Sequence, residues 1–247
     1  MLKLYHMWTS TCSKKVRLAL AEKNLEWESR AMSTNPAPET LEPWYLKINP
    51  NAVVPSLDHD GRIIIESCVI LEYLDDVFPD PPLRPADHVD RATMRVWLDR
   101  SESVVHRNIN ILSHNRFMAT ALGGMTLEQK LAMANRHPKV GMRTERLRRY
   151  REGVSAEEEQ LAESLLAELM DEMEATLGTQ SWLAGAGFSL ADIAITPFIE
   201  RFKVNRLAAL IDWSKRPAVG DWWRRITARP SYEKGMALHM AAAPARC

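Results

Sequence analysis

Between Asn49 and Pro79 the hydrophobic period switches from two to about 3.6 within a few residues, and this constrains the fold more than any other stretch. Ser56 to His59 and Arg62 to Ile65 are β-rich runs around Asp60-Gly61. That dipeptide suits a two-residue hairpin, whose central positions both need positive φ. After Ile65, the residues Val69, Ile70, Tyr73, Leu74 and Val77 fall on one helical face, with Ser67 at the expected N-cap and Cys68 in the first turn. Ahead of the hairpin, Val54 precedes Pro55, so Val54 is pushed to an extended conformation and Pro55 has no N–H to donate. The N–H and C=O of Val54 are then free to pair with a ligand. The N-terminus of the helix beside them offers a carboxylate its free N–H groups and the positive end of a dipole.

A chain of 247 residues, 46% hydrophobic, is long enough for two packed units. Basic and acidic side chains number 32 each, so no global field points to nucleic acid. No apolar run approaches the roughly 18 residues of a membrane span, and MLKLYHMW lacks a signal-peptide pattern, so no membrane association and a cytoplasmic location are expected. Cys12, Cys68 and Cys247 form neither a disulfide framework nor a C-x-x-C pair. Reduced thiols are expected. The histidines include no H-x-x-x-H, and His106 and His114 stand about 80° apart around a helix, so no metal site is expected.

Leu2 to Met7 reads as a strand that runs into Trp8-Thr9-Ser10-Thr11-Cys12-Ser13, a polar cluster capping a helix with Val16, Ala19 and Leu20 inward. A hydroxyl at that helix N-terminus either caps a turn or favours the thiolate of a bound thiol, whose ordinary pKa is about 8.5. Glu26 to Met32 reads as a second strand, and Pro38 opens a short helix ending near Leu46. The N-terminal order is therefore βαβαββα. Four prolines between Pro79 and Pro85 mark a linker, giving domains at 1–79 and 87–247 joined by 80–86. Beyond it the signals are helical: a run to about Ala119, a break at Gly123-Gly124, and capping boxes at Thr126-Gln129, Ser155-Glu158 and Ser189-Asp192. The second box opens a helix with Leu161, Leu165, Leu169, Met173 and Leu177 inward. Arg143, Arg146, Arg148, Arg149 and Arg151 precede it; they read either as a phosphate site or as a surface neutralised by neighbouring acids. Val219, Trp222, Trp223 and Ile226 define a further amphipathic helix.

The order "NPxxxVPxL, hairpin, E-S, amphipathic helix" resembles the glutathione-binding half of the cytosolic glutathione transferases, and F-S-L-A-D-I at Phe188 to Ile193 is similar to a folding element of their C-terminal domain. The resemblance implies a thioredoxin-like domain followed by an all-helical one. It also implies a cis bond before Pro55, pairing of the Val54 backbone with the cysteinyl part of glutathione, and Glu66-Ser67 at its γ-glutamyl end. Ser10-x-Cys-Ser-x-x-Val-Arg17 is similar to the serine-using classes, which makes Ser10 the first candidate to donate to sulfur, with Thr11, Cys12 and Ser13 as alternates. Ala52 replaces the family's glycine, so the local backbone need not enter a glycine-only region, and Val53 replaces a polar residue, leaving the contact to the glycyl end unassigned. The enlarged region from Met125 to Glu159, with the INP, ESxVIxEYLxDVFP and LRPAD stretches, resembles the bacterial β-etherase branch, which cleaves aryl ethers with glutathione.

The implied function is a glutathione transferase, with glutathione as co-substrate, a hydrophobic aromatic electrophile as second substrate, and a homodimer as assembly. Trp8, His106 and Phe117 are candidates for the electrophile pocket. Two alternatives stand beside it: a non-catalytic interaction protein on the same fold, and a thiol-exchange enzyme using Cys12.

Overall fold

The computed structural model describes residues 1–34, 38–114 and 122–238. Its first half holds a sheet of strands β1 (Leu2–His6), β2 (Trp27–Ala31), β3 (Ser56–His59) and β4 (Arg62–Ile65), in the order β2-β1-β3-β4. β1 runs parallel to β2 and antiparallel to β3, which closes the hairpin with β4 in the register Ser56 to Ile65. Asp60 and Gly61 both take positive φ, 52° and 84°, as the hairpin requires. Helix α1 (Thr11–Glu22) crosses between β1 and β2, α2 (Pro43–Leu46) is a single turn, and α3 (Ser67–Val77) follows the hairpin. This is the thioredoxin-like βαβαββα order.

Several local expectations change. The helix read from Pro38 to Leu46 is broken into a 3-10 turn at Glu39–Leu41 and α2, because Glu42 precedes Pro43 and is extended at φ −78°, ψ 144°. On α3 the buried stripe is Ile70, Leu71 and Leu74, whereas Val69 and Val77 are exposed. The N-cap of α3 is Glu66, not Ser67, which occupies the first helical position.

The second half is helical: α4 (His88–Arg100), a π-helical turn at Ser101–His106, α5 (Arg107–Ser113), α6 (Leu127–Asn135), α7 (Val140–Glu152), α8 (Ala156–Leu177), α9 (Leu190–Val204), a 3-10 turn at Ala208–Ile211, α10 (Pro217–Thr227) and α11 (Pro230–Met236). All three capping boxes form as read, at α6, α8 and α9. On α8 the buried stripe begins with Ala162 and Leu166 rather than Leu161 and Leu165, then continues through Leu169, Met173 and Leu177. Val219, Trp222, Trp223 and Ile226 are all buried on α10.

One core joins the halves, with α1 packed against α3, α9 and α11. Leu4, Val16, Leu20 and Leu57 meet Phe198, Phe202 and Trp222 in it. The buried guanidinium of Arg17 donates to the carbonyls of Trp8, Gly235 and Ala237, at 3.2, 3.0 and 2.9 Å. With no carboxylate bonded to it among the described residues, burial lowers its pKa to about 10. The segment between α3 and α4 is also fastened: Lys23 Nζ reaches the carbonyls of Phe78 and Pro81, and Asp75 accepts from the N–H of Leu83 and from Arg84. None of the described helices is long and apolar enough to cross a membrane.

Candidate functional site

The site begins where β1 ends and α1 starts. Ser10 caps α1 with its Oγ, which accepts the Ser13 N–H at 3.2 Å. A hydroxyl used as acceptor on that side keeps its own proton free for another group. Ser13 is placed differently: its side chain is fully buried and its Oγ accepts from the Met7 N–H at 3.3 Å. Thr11 and Cys12 are buried as well, so among positions 10 to 13 Ser10 is the most open.

Opposite this end, the Val54-Pro55 bond is cis, as the family resemblance implies. Val54 takes no part in the backbone hydrogen bonds among the described residues, while the Val53 carbonyl next to it accepts from Tyr45 Oη at 2.7 Å and Asn49 Nδ2 at 2.9 Å. Ala52 does enter the left-handed region, at φ 54°, against the expectation from its side chain. The cost is roughly 1–2 kcal/mol for a non-glycine residue. Glu66 is also strained, at φ 69°, ψ 117°, immediately before the free N–H groups of α3, and its carboxylate accepts from Asn51 Nδ2 at 2.8 Å.

The helical half closes the site with groups from the π-helical turn. Such turns shift the phase of a helix locally. Here Glu102 accepts from Ser67 Oγ at 3.0 Å, from Lys15 Nζ at 2.6 Å, and pairs with His106 Nδ1 at 2.9 Å. Cys12 Sγ lies 3.8 Å from both ring nitrogens of His106. Lys15 is fully buried; its Nζ also donates to Ser101 Oγ at 2.9 Å and lies 3.8 Å from Cys68 Sγ.

The charges settle one another. Burial works against ionisation of Cys12, but the His106 and Lys15 cations outweigh it and lower the thiol pKa. Burial likewise disfavours the imidazolium of His106, yet Cys12 and Glu102 outweigh it and raise its pKa to about 10. Glu102 is held well below the usual carboxylate range, since His106 and Lys15 overcome its burial. Cys68, by contrast, is raised, chiefly by burial.

The structure therefore joins Cys12 to His106 directly and Ser67 to His106 through Glu102, while Ser10 caps the helix that carries Cys12, Glu66 directly precedes Ser67 at the start of α3, and Val54-Pro55 forms the cis bond ahead of β3. Trp8 stands apart: its ring meets His6 edge-on at 4.6 Å and carries the Arg17 guanidinium at 4.6 Å. Phe117 lies outside the described residues. Sequence reading missed Lys15 and Glu102. Lys15 sits on the inward face of α1, an improbable place for a charge, and that was the available signal. Glu102 joins only through a fold contact. The same contact brings ligand-type atoms of Cys12, Glu102 and His106 within 4.8 Å of one another, a grouping that histidine spacing did not foresee. Lys15 and His106 already supply positive charge there.

The glutathione S-transferase N-terminal domain family matches residues 9–77, and the C-terminal domain family matches 132–230. Protein LigF of Sphingobium sp. strain NBRC 103272 / SYK-6 is 32% identical over 240 residues, spanning 94% of this chain and 92% of that protein. The chain belongs to the glutathione S-transferase family. The crystal structure of the β-etherase LigF superposes with a TM-score of 0.87 at 31% identity, covering 95% of this chain and 98% of that one. A tetrachloro-p-hydroquinone reductive dehalogenase of Sphingobium chlorophenolicum is 26% identical over 93% of both chains. A theta-class glutathione S-transferase of Xanthomonas axonopodis pv. citri, with glutathione bound, shares the fold at a TM-score of 0.70, 20% identity and coverage of 96% of this chain and 99% of that one. Glutathione is the co-substrate of this glutathione S-transferase family, and the thioredoxin-like and helical halves are its two domains.

Proposed function

We propose that the chain binds glutathione between Val54, Glu66-Ser67 and the start of α1, and uses its thiolate against an aromatic electrophile, with β-aryl ether ketones among the substrates. The observation that carries this reading is Ser10: a helix-capping hydroxyl engaged as acceptor on one side, whose proton has no acceptor among the described residues. Donation to sulfur favours the thiolate, aided by the α1 dipole. The first N–H groups of α3 suit the γ-glutamyl carboxylate, and the Ser67 hydroxyl joins them by turning its proton from Glu102 to the ligand. The thiolate then attacks the carbon next to the ketone; the C–S bond forms, the C–O bond breaks, and the phenolate leaves with the electron pair. The likeness to LigF along nearly the whole chain supports the ether as substrate. The boundary at 80–86, a cytoplasmic location and a homodimer belong to the same proposal.

The test is product analysis. Incubation with glutathione and a β-aryl ether ketone should release phenol together with the glutathione thioether. If neither forms while an activated aryl halide is conjugated, the ether reading fails and a general transferase stands. Failure of the protein to bind immobilised glutathione would point instead to an interaction protein.

A second reading is favoured by one observation, the contact of Cys12 with His106 and the lowered pKa of its thiol. In it, Cys12 attacks the disulfide of a glutathione adduct, forms a mixed disulfide and releases the other thiol. Ser10→Ala should raise the pH at which bound glutathione ionises, with Cys12→Ala nearly silent; the reverse pattern establishes thiol exchange.

A further inference from the structure

The turn that presents Ser10 is held from outside itself. Met7 to Ser10 closes on a backbone bond from the Ser10 N–H to the Met7 carbonyl at 3.2 Å, so Trp8 and Thr9 are its central residues. The Ser10 carbonyl then accepts the Lys14 N–H at 3.0 Å, and its Oγ accepts the Ser13 N–H at 3.2 Å. These bonds fix the ends of the turn. The carbonyls of Trp8 and Thr9 take no part in them, and each receives a guanidinium instead. Arg17 Nη2 donates to the Trp8 carbonyl at 3.2 Å, and Arg201 Nη2 to the Thr9 carbonyl at 2.5 Å.

The two arginines differ in origin. Arg17 belongs to α1, the helix that the turn leads into. Arg201 lies 192 residues beyond Thr9, in the last turn of α9. A cation in the last turn of a helix is favoured there by the dipole alone. Lys203 meets that description, with its Nζ 5.3 Å from the centre of the Trp223 ring on α10. Arg201 instead is half-buried and directs a donor to the other half of the molecule. Its neighbour Glu200 pairs with Lys14, a buried side chain of α1. Two adjacent residues of α9 thus grip this end of α1 on either side of Ser10.

The grip bears on the hydroxyl. The Thr9 carbonyl and the Ser10 N–H share one rigid peptide plane. Rotating that plane changes the Ser10 φ of −72°, and with it the direction of Oγ. Charge at this end also favours an anion: Lys14, Arg17 and Arg201 stand against Glu200, and Cys12, Lys15, Glu102 and His106 join from α1 and the π-helical turn.

We propose that Arg201 is a positioning residue for the transfer reaction: reaching across from the helical half, its guanidinium fixes the Thr9–Ser10 peptide and so aims the Ser10 hydroxyl at sulfur. This rests on the transferase reading, in which Ser10 donates to bound glutathione.

The test uses the full chain with glutathione and an activated aryl halide. Thiolate absorbance of bound glutathione gives the pH midpoint of its ionisation, and steady-state rates separate kcat from KM. In Arg201→Gln, whose shorter amide stops short of the Thr9 carbonyl, the midpoint should rise by about one unit. At neutral pH kcat should fall about tenfold, with KM for glutathione within about twofold of native, because the Val54 and α3 contacts are untouched. Arg201→Lys, which restores a charged donor, should recover most of both losses. Lys203→Gln, which removes the other cation from the same helix end, should change neither.

A native midpoint and kcat in Arg201→Gln overturn the positioning role, as do equal changes in Arg201→Gln and Lys203→Gln, no recovery in Arg201→Lys, or a loss confined to thermal stability. If the native protein itself leaves bound glutathione ionising like the free thiol, the Ser10 reading falls and this inference with it; a native midpoint below that of free glutathione, unmoved in Arg201→Gln, overturns the role of Arg201 alone. Should Arg201→Gln fold poorly, Arg201→Met, which keeps the aliphatic packing and the helix propensity, is held to the same outcomes.

Discussion

Two helix N-termini in this molecule use the same capping chemistry and reach opposite ends. At α9, Asp192 is fully buried and accepts from Trp222 Nε1 at 2.8 Å, Ser189 N at 2.9 Å and Leu183 N at 3.1 Å. Its burial raises its pKa to about 6 despite those donors. At α1, Ser10 is only partly buried, and the titratable groups of this helix end come from separate elements: Cys12 and Lys15 from α1, Glu102 and His106 from the π-helical turn. The first terminus has spent its hydrogen-bonding capacity on the fold. The second keeps a thiol facing the titrating His106, which is what chemistry requires.

Substitutions can break this contrast. The largest effect is expected at α9, where Asp192→Ala strands the Trp222, Leu183 and Ser189 donors together. A loss of at least roughly 3 kcal/mol in denaturant unfolding is expected; a loss under about 1 kcal/mol would mean that the node is not a structural keystone. Next, Ser67→Ala should weaken glutathione by about 1.5–3 kcal/mol, read by calorimetry, through loss of a hydrogen bond to a charged group. Unchanged affinity in a folded variant removes Ser67 from the site.

The third concerns His106, whose cation favours the Cys12 thiolate. Removing it should move the pH midpoint of Cys12 alkylation upward, so that iodoacetamide modifies His106→Gln about tenfold more slowly at neutral pH, with modification mapped by mass spectrometry. An unshifted midpoint would detach His106 from the thiol. The smallest effect is expected where α6 meets the thioredoxin-like half. Arg136→Ala breaks an ion pair between half-open side chains, and the change in unfolding free energy should stay below about 1 kcal/mol. A larger loss would make the bridge part of the core.

Much of this contrast was legible in sequence, because caps and turns are local. Ser189-Asp192, Ser155-Glu158, Thr126-Gln129 and Asp60-Gly61 all form as their spacing implies. Ser10 was legible for the same reason. The electrostatic partners of Cys12 were not, since Glu102 lies 90 residues downstream (102 − 12) and meets Lys15 and Ser67 only after α4 packs. Helical faces slipped where an apolar residue looks outward: Val69, Val77 and Leu161 obey the period but remain exposed. Ala52 and Glu66 took strained backbone angles that nothing in their side chains announces.

The π-helical turn at Ser101–His106 has a consequence for register. A π turn carries an extra residue relative to α-helix, so it sets the angular offset between α4, which is committed to the core through Met94, Trp97 and Leu98, and everything downstream. Removing one residue there, for example Ser103, would let the segment relax to regular α-helix with α5 close to its present phase, whereas forcing all six residues into regular α-helix would rotate α5 by about 100° relative to α4. Leu112 would leave the core, and His106 could no longer face Cys12 while Met94 stayed in place. The offset acts as a phase key: it lets one continuous helical rod serve packing along its first half and chemistry along its second.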